Sequence, residues 1–237
     1  MGRIQKAYET RLRWLLAHVG ARQLDKGVRW WLDQAQGLSQ REHVSLNQAL
    51  TRRFETLACK RPFAPVRLLA SSERFLCDAG LGGLARWLRA AGYEALWQAD
   101  IGDDELLRQA RVQGATILTT DSMLMERRLV RDRLIPAFWL PPTLEIPEQL
   151  SLVFREFGLV LRAPRCMACG GCLRAVEKEA LRDRIPPRTY RWLNDFFVCQ
   201  RCDQLFWHGT HWQRIRDKLE QTARAESSIR NPGPPQT

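Results

Sequence analysis

Apolar side chains recur at helical spacing through the first sixty-odd residues. Leu12, Leu15, Leu16 and Val19 form one stripe, and Val28, Trp31 and Leu32 another. Gly20, Gly27 and Gly37 fall where such helices would stop. The segment CKRPFAPVRLLASSE, with two prolines and a polar end, reads as a linker. At Arg74 the pattern changes. Phe75-Leu76-Cys77 is a short apolar run, as in a strand buried on both faces. Leu81, Leu84, Ala85 and Leu88 then return to helical spacing, with Gly92 placed as a cap. YEALWQAD predicts a second strand, and about 104–112 a helix that buries Leu106, Leu107 and Ala110 and ends near Gly114. ATILTT predicts a third strand. Strands alternating with helices in this way require a parallel sheet with helices on both faces. RLIPAFWLPP is a fourth strand stopped by Pro141 and Pro142. IPEQLSLVFREFGL is an amphipathic helix, with Pro147 in its first turn and Leu150, Val153, Phe154 and Phe157 on its apolar face. The expected fold class is α/β, with a helical region at 1–70 of no evident chemistry, an α/β domain at 74–162, a cysteine-rich module at 163–220 and a disordered tail at 221–237.

An apolar fraction of 45% with nine tryptophans is ample for packed cores. No apolar run approaches the roughly 18 residues of a membrane helix, and the first twenty residues lack the apolar core and cleavage site of a secretory signal. These features predict a cytoplasmic protein. The net charge of +11, from 37 Lys and Arg against 26 Asp and Glu, adds a partner: a polyanion, nucleic acid or an anionic membrane surface. A merely solvated basic surface is the plainer reading.

Five of the seven cysteines lie between Cys166 and Cys202. Cys166-Met-Ala-Cys169 and Cys199-Gln-Arg-Cys202 are two C-x2-C pairs separated by 29 residues. Each pair offers two thiolates from one tight turn, and two such turns close a tetrahedral zinc site that leaves no position for water or substrate. Free buried thiols or a redox pair are the alternative. Cys172 makes a second C-x2-C with Cys169 and is read as a spare, while His208 and His211 are superfluous to a four-sulfur shell. Around these cysteines bases alternate with aromatics: Arg188, Tyr190, Arg191 and Trp192, then Trp207, Trp212 and Arg214. That interleaving suits phosphate contacts combined with base stacking, although any one of the rings serves equally to pack a small core.

Asp78, Asp103 and Asp121 lie at or near the ends of the first three predicted strands, the edge at which open parallel sheets bind ligands. Asp103 and Asp121 also occupy places suited to helix N-caps. Three carboxylates with no Lys or Arg in the same loops repel one another unless a cation lies between them, and hard oxygens select Mg(II) or Mn(II). With a polyanion bound, such a site offers metal-assisted phosphodiester hydrolysis. Arg86 and Arg89, on the helix after Asp78, are candidates to hold the phosphate. Asp100, Asp104 and Glu105 are nearby substitutes for Asp103. A competing reading takes Gly80, Gly82 and Ala85 as a G-x-G-x-x-A dinucleotide fingerprint, with Asp100 on a ribose. It leaves Asp121 and the cysteines without a role and sets Asp78 against a pyrophosphate.

In order, FLCDAGLGGLARWLRAAGY, DDELLRQA, ILTTDSML, IPEQL, RCMACGGCL and FFVCQRCDQLFWHGTHW resemble the Mut-seven C-terminal RNase domain family, a PIN-like nuclease fold fused to a zinc ribbon, over about residues 74–219. The resemblance implies a metal-dependent ribonuclease acting on RNA, with its acidic residues at Asp78, Asp103 and Asp121 and zinc on Cys166, Cys169, Cys199 and Cys202. Two positions depart from the family pattern: Thr120 stands where an Arg usually precedes the aspartate, and Gly170 where an Asn follows the second cysteine. The family often carries a ubiquitin-like N-terminal domain, whereas residues 1–70 here read as helical. A non-catalytic nucleic-acid-binding protein, its acids serving as caps, is the rival to the enzyme.

Overall fold

The apolar runs from Arg74 onward assemble into a four-stranded sheet in the computed structural model, which describes residues 2–58 and 74–230. The expected linker with Cys59, and residues 231–237, lie outside the described residues. Three helices come first, α1 (Arg3–His18), α2 (Leu24–Glu42) and α3 (Leu46–Ala58). Then β1 (Arg74–Cys77), α4 (Gly82–Ala90), β2 (Glu94–Trp97), α5 (Asp103–Gln113) and β3 (Thr116–Thr119) alternate, followed by α6 (Arg128–Arg131), β4 (Ala137–Trp139) and α7 (Ile146–Phe157). The sheet order is β2-β1-β3-β4 and every pairing is parallel, with Leu76 opposite both Leu96 and Ile117. Since β1 lies between β2 and β3, right-handed crossovers place α4 and α5 on opposite faces.

Strand side chains alternate accordingly. Phe75, Cys77 and Leu118 join Leu84, Leu88, Leu150 and Phe154 in one core. Leu76 and Ile117 face the other way, into a core shared with Leu106 and Leu107. That second core also contains Tyr8, Leu12, Trp31 and Phe54, so the N-terminal helices cover this face of the sheet. Tyr8 and Phe54 meet the Trp139 ring edge-on, at centroid separations of 5.6 and 5.2 Å. Gly20 makes the turn after α1 at φ 76°. Gly27 and Gly37, expected as stops, lie inside α2 instead. A Cβ on Gly27 would come within 2.9 Å of Leu16 Cδ1, so this glycine permits close helix packing rather than ending a helix.

After Ala163 the chain builds a separate antiparallel sheet, β5 (Leu173–Ala175), β6 (Phe196–Cys199) and β7 (Leu205–Trp207), in the order β5-β6-β7, with α8 (Pro187–Trp192) between β5 and β6. Helix α9 (Thr210–Arg230) follows. Residues 221–230 were expected to be disordered but continue α9. The first proline of the tail is Pro232, so nothing in the sequence breaks the helix earlier. Ile215 and Leu219 anchor it in the core beside α4 and α7.

Candidate active site and metal centre

Asp78 and Asp121 follow adjacent strands, whose register pairs Cys77 with Leu118. The ladder continues one step past β1, with Asp78 N–H donating to Leu118 O at 2.9 Å. Thr119, fully buried at the end of β3, joins the two acids. Its hydroxyl donates to Asp78 Oδ2 at 2.6 Å and accepts from Asp121 N–H at 2.9 Å. Asp78 Oδ1 takes the Ala79 N–H at 2.6 Å, and Asp121 Oδ1 takes the Met123 N–H at 2.7 Å. Both carboxylates are therefore held by short local bonds and leave the rest of their oxygen lone pairs to the strand-end edge.

Asp103 opens α5, and the N-cap is Gly102 with no side-chain capping bond. The capping role considered for Asp103 is thus not the one it has. Its carboxyl titrates above the usual carboxylate range, first because of burial, then because of the charges on Asp121 and Asp78, with Arg127 acting in the opposite direction. The electrostatics place the three acids in one neighbourhood. They are not drawn into a tight cage: among the described residues, only the four cysteines form a group of three or more His, Cys, Asp or Glu with ligand atoms all within 4.8 Å of one another.

Two of the three substitutes for Asp103 are otherwise engaged. Glu105 is held down at about 2 by hydrogen bonds from Arg108 and Gln109, and Asp104 pairs with Arg127. No Lys or Arg was expected in the same loops, yet a cation reaches them from elsewhere: Arg127, remote from Asp104 in sequence, comes from the segment after β3. A run of basic residues, Arg127-Arg128, just past Asp121 was the available signal. Thr119 was missed because a threonine in a strand ordinarily reports only β-propensity.

The glycines of the opening turn serve packing. A Cβ on Gly82 would lie 2.7 Å from the Trp97 ring, and one on Gly83 would lie 2.4 Å from Ile146 Cδ1. Trp97 Nε1–H donates to Ala79 O at 2.9 Å, tying the end of β2 to the turn that carries Asp78. Gly82 therefore admits an indole and not a pyrophosphate. Arg86 is exposed on α4. Arg89, expected beside a phosphate, is only 4% exposed and its guanidinium donates to the carbonyls of Ala95, Met167 and Ala168 at 2.7, 3.1 and 2.8 Å. Its task is to bolt the first cysteine turn to the sheet. Arg86 and Arg89, at i and i+3, share one side of α4, and the sequence does not distinguish the exposed guanidinium from the one the cysteine turn covers.

Cys166, Cys169, Cys199 and Cys202 converge, with Cys166–Cys202 and Cys169–Cys199 sulfur separations of 3.6 and 3.4 Å. Four sulfurs around an ion at about 2.3 Å stand about 3.8 Å apart, whereas a disulfide needs about 2.05 Å. The set fits a metal such as zinc. Cys172 is exposed and stands outside the group. In each turn a backbone amide two residues on points at a sulfur, Gly171 N–H at Cys169 Sγ, the second cysteine of its pair, and Arg201 N–H at Cys199 Sγ, the first of its pair, both at 3.4 Å. The residue after each second cysteine, Gly170 or Asp203, has positive φ, 77° and 57°. Glycine and asparagine both tolerate that conformation, which explains why Gly170 replaces the expected Asn. Burial works to raise the Cys199 thiol, but the amides of Cys202 and Arg201 outweigh it and bring it to about 6. Burial pushes Cys166 up to about 12. A cation among them is what allows all four to ionise together.

Among the described residues no helix is long and apolar enough to cross a membrane. Comparison with curated proteins finds no match, and comparison with solved structures finds none. The family model described as the Mut7-C RNAse domain matches residues 73–219. That span is more than half of the chain and takes in the aspartate edge and the four cysteines alike, and the protein belongs to the Mut7-C RNAse domain family.

Proposed function

We propose that the protein is a metal-dependent ribonuclease that hydrolyses RNA phosphodiester bonds at Asp78, Asp103 and Asp121. The reading divides the chain into a nuclease unit at 74–162, a zinc ribbon at 163–220 that assists RNA binding, and an N-terminal helical region whose part is structural. The observation that carries it is the Thr119 bridge: one buried hydroxyl bonds the Asp78 carboxylate and the Asp121 backbone amide at adjacent strand ends, and a third carboxyl close enough to feel both charges titrates high. Such a set stores repulsion that a divalent cation relieves. Exposed Asp103, with no hydrogen bond or ion pair among the described residues, is the member free to swing onto an ion. Bound Mg(II) or Mn(II) would supply a water of lowered pKa and charge stabilisation for the leaving oxygen. The chain's own residues would hold the ion, Asp78 and Asp121 from carboxylates already fixed by local hydrogen bonds, while Arg86 would offer a solvent-exposed guanidinium to the backbone.

The binding-only rival needs the acids to be caps, and Asp103 caps nothing. Asp121→Asn is expected to abolish Mg(II)- or Mn(II)-dependent RNA cleavage while leaving RNA affinity within about two-fold, since the loss of one ion ligand removes chemistry and not the basic surface. Wild-type protein that cleaves no RNA with either ion would refute the enzyme.

A further inference from the structure

We propose that the cleft between the ribbon and the sheet binds unpaired RNA by stacking its bases, and delivers the strand to the aspartate edge. The inference rests on the ribonuclease reading and names its substrate form. The cleft has a volume of about 1290 Å³ and is walled by the start of α4, the end of β2, the 163–168 connection, α8, β7 and the first turn of α9. It is larger than the roughly 300–1,000 Å³ that a small ligand occupies, which suits a polymer passing through.

Three observations select the occupant. The first is aromatic. Exposed large apolar side chains include three tryptophans, Trp30, Trp97 and Trp192, and two of these, Trp97 at 40% and Trp192 at 74% exposed, line the cleft. Beside them His208 stacks on Trp212 with centroids 6.0 Å apart and an interplanar angle of 15°, and leans on Phe197 at 4.8 Å. Aromatic faces left in water form a platform for bases, and every base has a face to offer. The second is charge. Arg86, Arg165 and Arg188 line the same space, and no Asp or Glu does among the described lining residues. Asp195, 3.8 Å from His208 Nδ1, stands outside the lining. The third is continuity. Trp97 belongs to the cleft, yet its indole N–H is fixed on Ala79 O, next to Asp78. A base stacked on Trp97 therefore brings its own phosphate to the carboxylate edge. Duplex RNA keeps its bases inside and offers proteins phosphates and 2′-hydroxyls, so it has nothing to lay on these rings.

The test uses the full chain with zinc, carrying Asp121→Asn so that RNA stays intact. Anisotropy titrations compare an unstructured oligoribonucleotide of about 12 nucleotides with its duplex and with an abasic chain of equal length. Unpaired RNA is expected to bind at least about ten-fold more tightly than either. Trp192→Ala, at an exposed position that carries no fold, should weaken unpaired RNA by about ten-fold and leave the abasic chain unchanged, while Trp192→Phe restores most of the loss. Arg188→Ala should weaken both probes and lower the slope of log K against log salt by about 0.7. Equal affinity for base-bearing and abasic chains, or a Trp192→Ala variant indistinguishable from its parent, would overturn the cleft proposal, as a cleft for an apolar peptide would produce. Because no cleavage enters this assay, an inactive wild type would sink the nuclease reading and leave the cleft standing, and the converse holds equally.

Discussion

Thr119 has no charge and belongs to no metal-ligand set, yet its hydroxyl holds the Asp78 carboxylate and the Asp121 backbone amide. Thr119→Val keeps the volume and removes that oxygen, leaving Asp78 Oδ2 and Asp121 N–H without their partner. The expected cost is about 1–3 kcal/mol in stability, from unsatisfied polar groups at a buried position. The cleavage rate should fall by about 10- to 100-fold, from misplaced acids. Thr119→Ser should retain most of both, which separates loss of the hydrogen bonds from loss of packing; thermal melts and single-turnover cleavage read the two effects. Asp103 carries the opposite trade. A carboxyl whose folded pKa is raised favours the fold below the ordinary carboxyl range, and that contribution is lost as pH rises through the folded pKa. At neutral pH in chelator, ionised Asp103 facing Asp121 and Asp78 therefore costs stability. Asp103→Asn should raise the Tm there, with the gain shrinking at acid pH, and should lose metal-dependent cleavage. A Tm gain independent of pH would contradict the electrostatic origin. Residues at this scale were legible where their chemistry is rare and their spacing short, as with the four cysteines. Thr119 and Trp97 were not, because strand positions favour threonine and tryptophan for reasons unrelated to function.

At the scale of elements, the four strands of the parallel sheet and helices α4, α5 and α7 could be read from period alone, since a strand buried on both faces is a continuous apolar run and a crossover helix is not, whereas the short α6 was not read. What period does not reveal is which element docks where. Arg89 looks like one more basic residue on an amphipathic helix, and it proves to join α4, β2 and the first cysteine turn through three carbonyls. Gly27 was misread for the same reason, because a glycine that ends a helix and one that admits a neighbouring helix are identical in sequence. The docking role makes a prediction that a phosphate ligand would not. Arg89→Ala should destabilise the protein by about 2–4 kcal/mol, as buried bonds from a charged donor are lost. Its effect on RNA affinity should vanish when the comparison is made per folded molecule. Urea titration together with binding at saturating protein stability, for example at low temperature, tests it. A variant as stable as wild type but weak for RNA would return Arg89 to the substrate.

For the whole molecule, the family match begins at residue 73 and implies a unit that could stand alone, while the packing implies the contrary. One face of the sheet is covered by α4, α7 and α9, all within or contiguous with the matched span. The other face is covered by α5 and, over Trp139 and Ile117, by Tyr8, Trp31 and Phe54. Parallel sheets are found with both faces covered because each strand presents apolar side chains on both sides. The contact also reaches the site: Trp139 Nε1–H donates to Thr120 O at 3.1 Å, the residue before Asp121, while Tyr8 and Phe54 clamp its ring. Tyr8 itself is anchored by its hydroxyl, which lies 2.9 Å from both Thr51 and Thr143. Removing residues 1–58 would return Ile117, Trp139 and their neighbours to water at about 1.5–3 kcal/mol for each large side chain. A few such losses are comparable to the whole net stability of a domain, about 5–15 kcal/mol. The chain shortened to start at Arg74 is therefore expected to lose its cooperative thermal transition, bind hydrophobic dye and cleave no RNA. Adding the 1–58 segment as a separate polypeptide should restore part of the transition, since the core it completes is a packed interface. If the shortened chain melts at the wild-type temperature with activity intact, the N-terminal helices are a cover that the nuclease does not need.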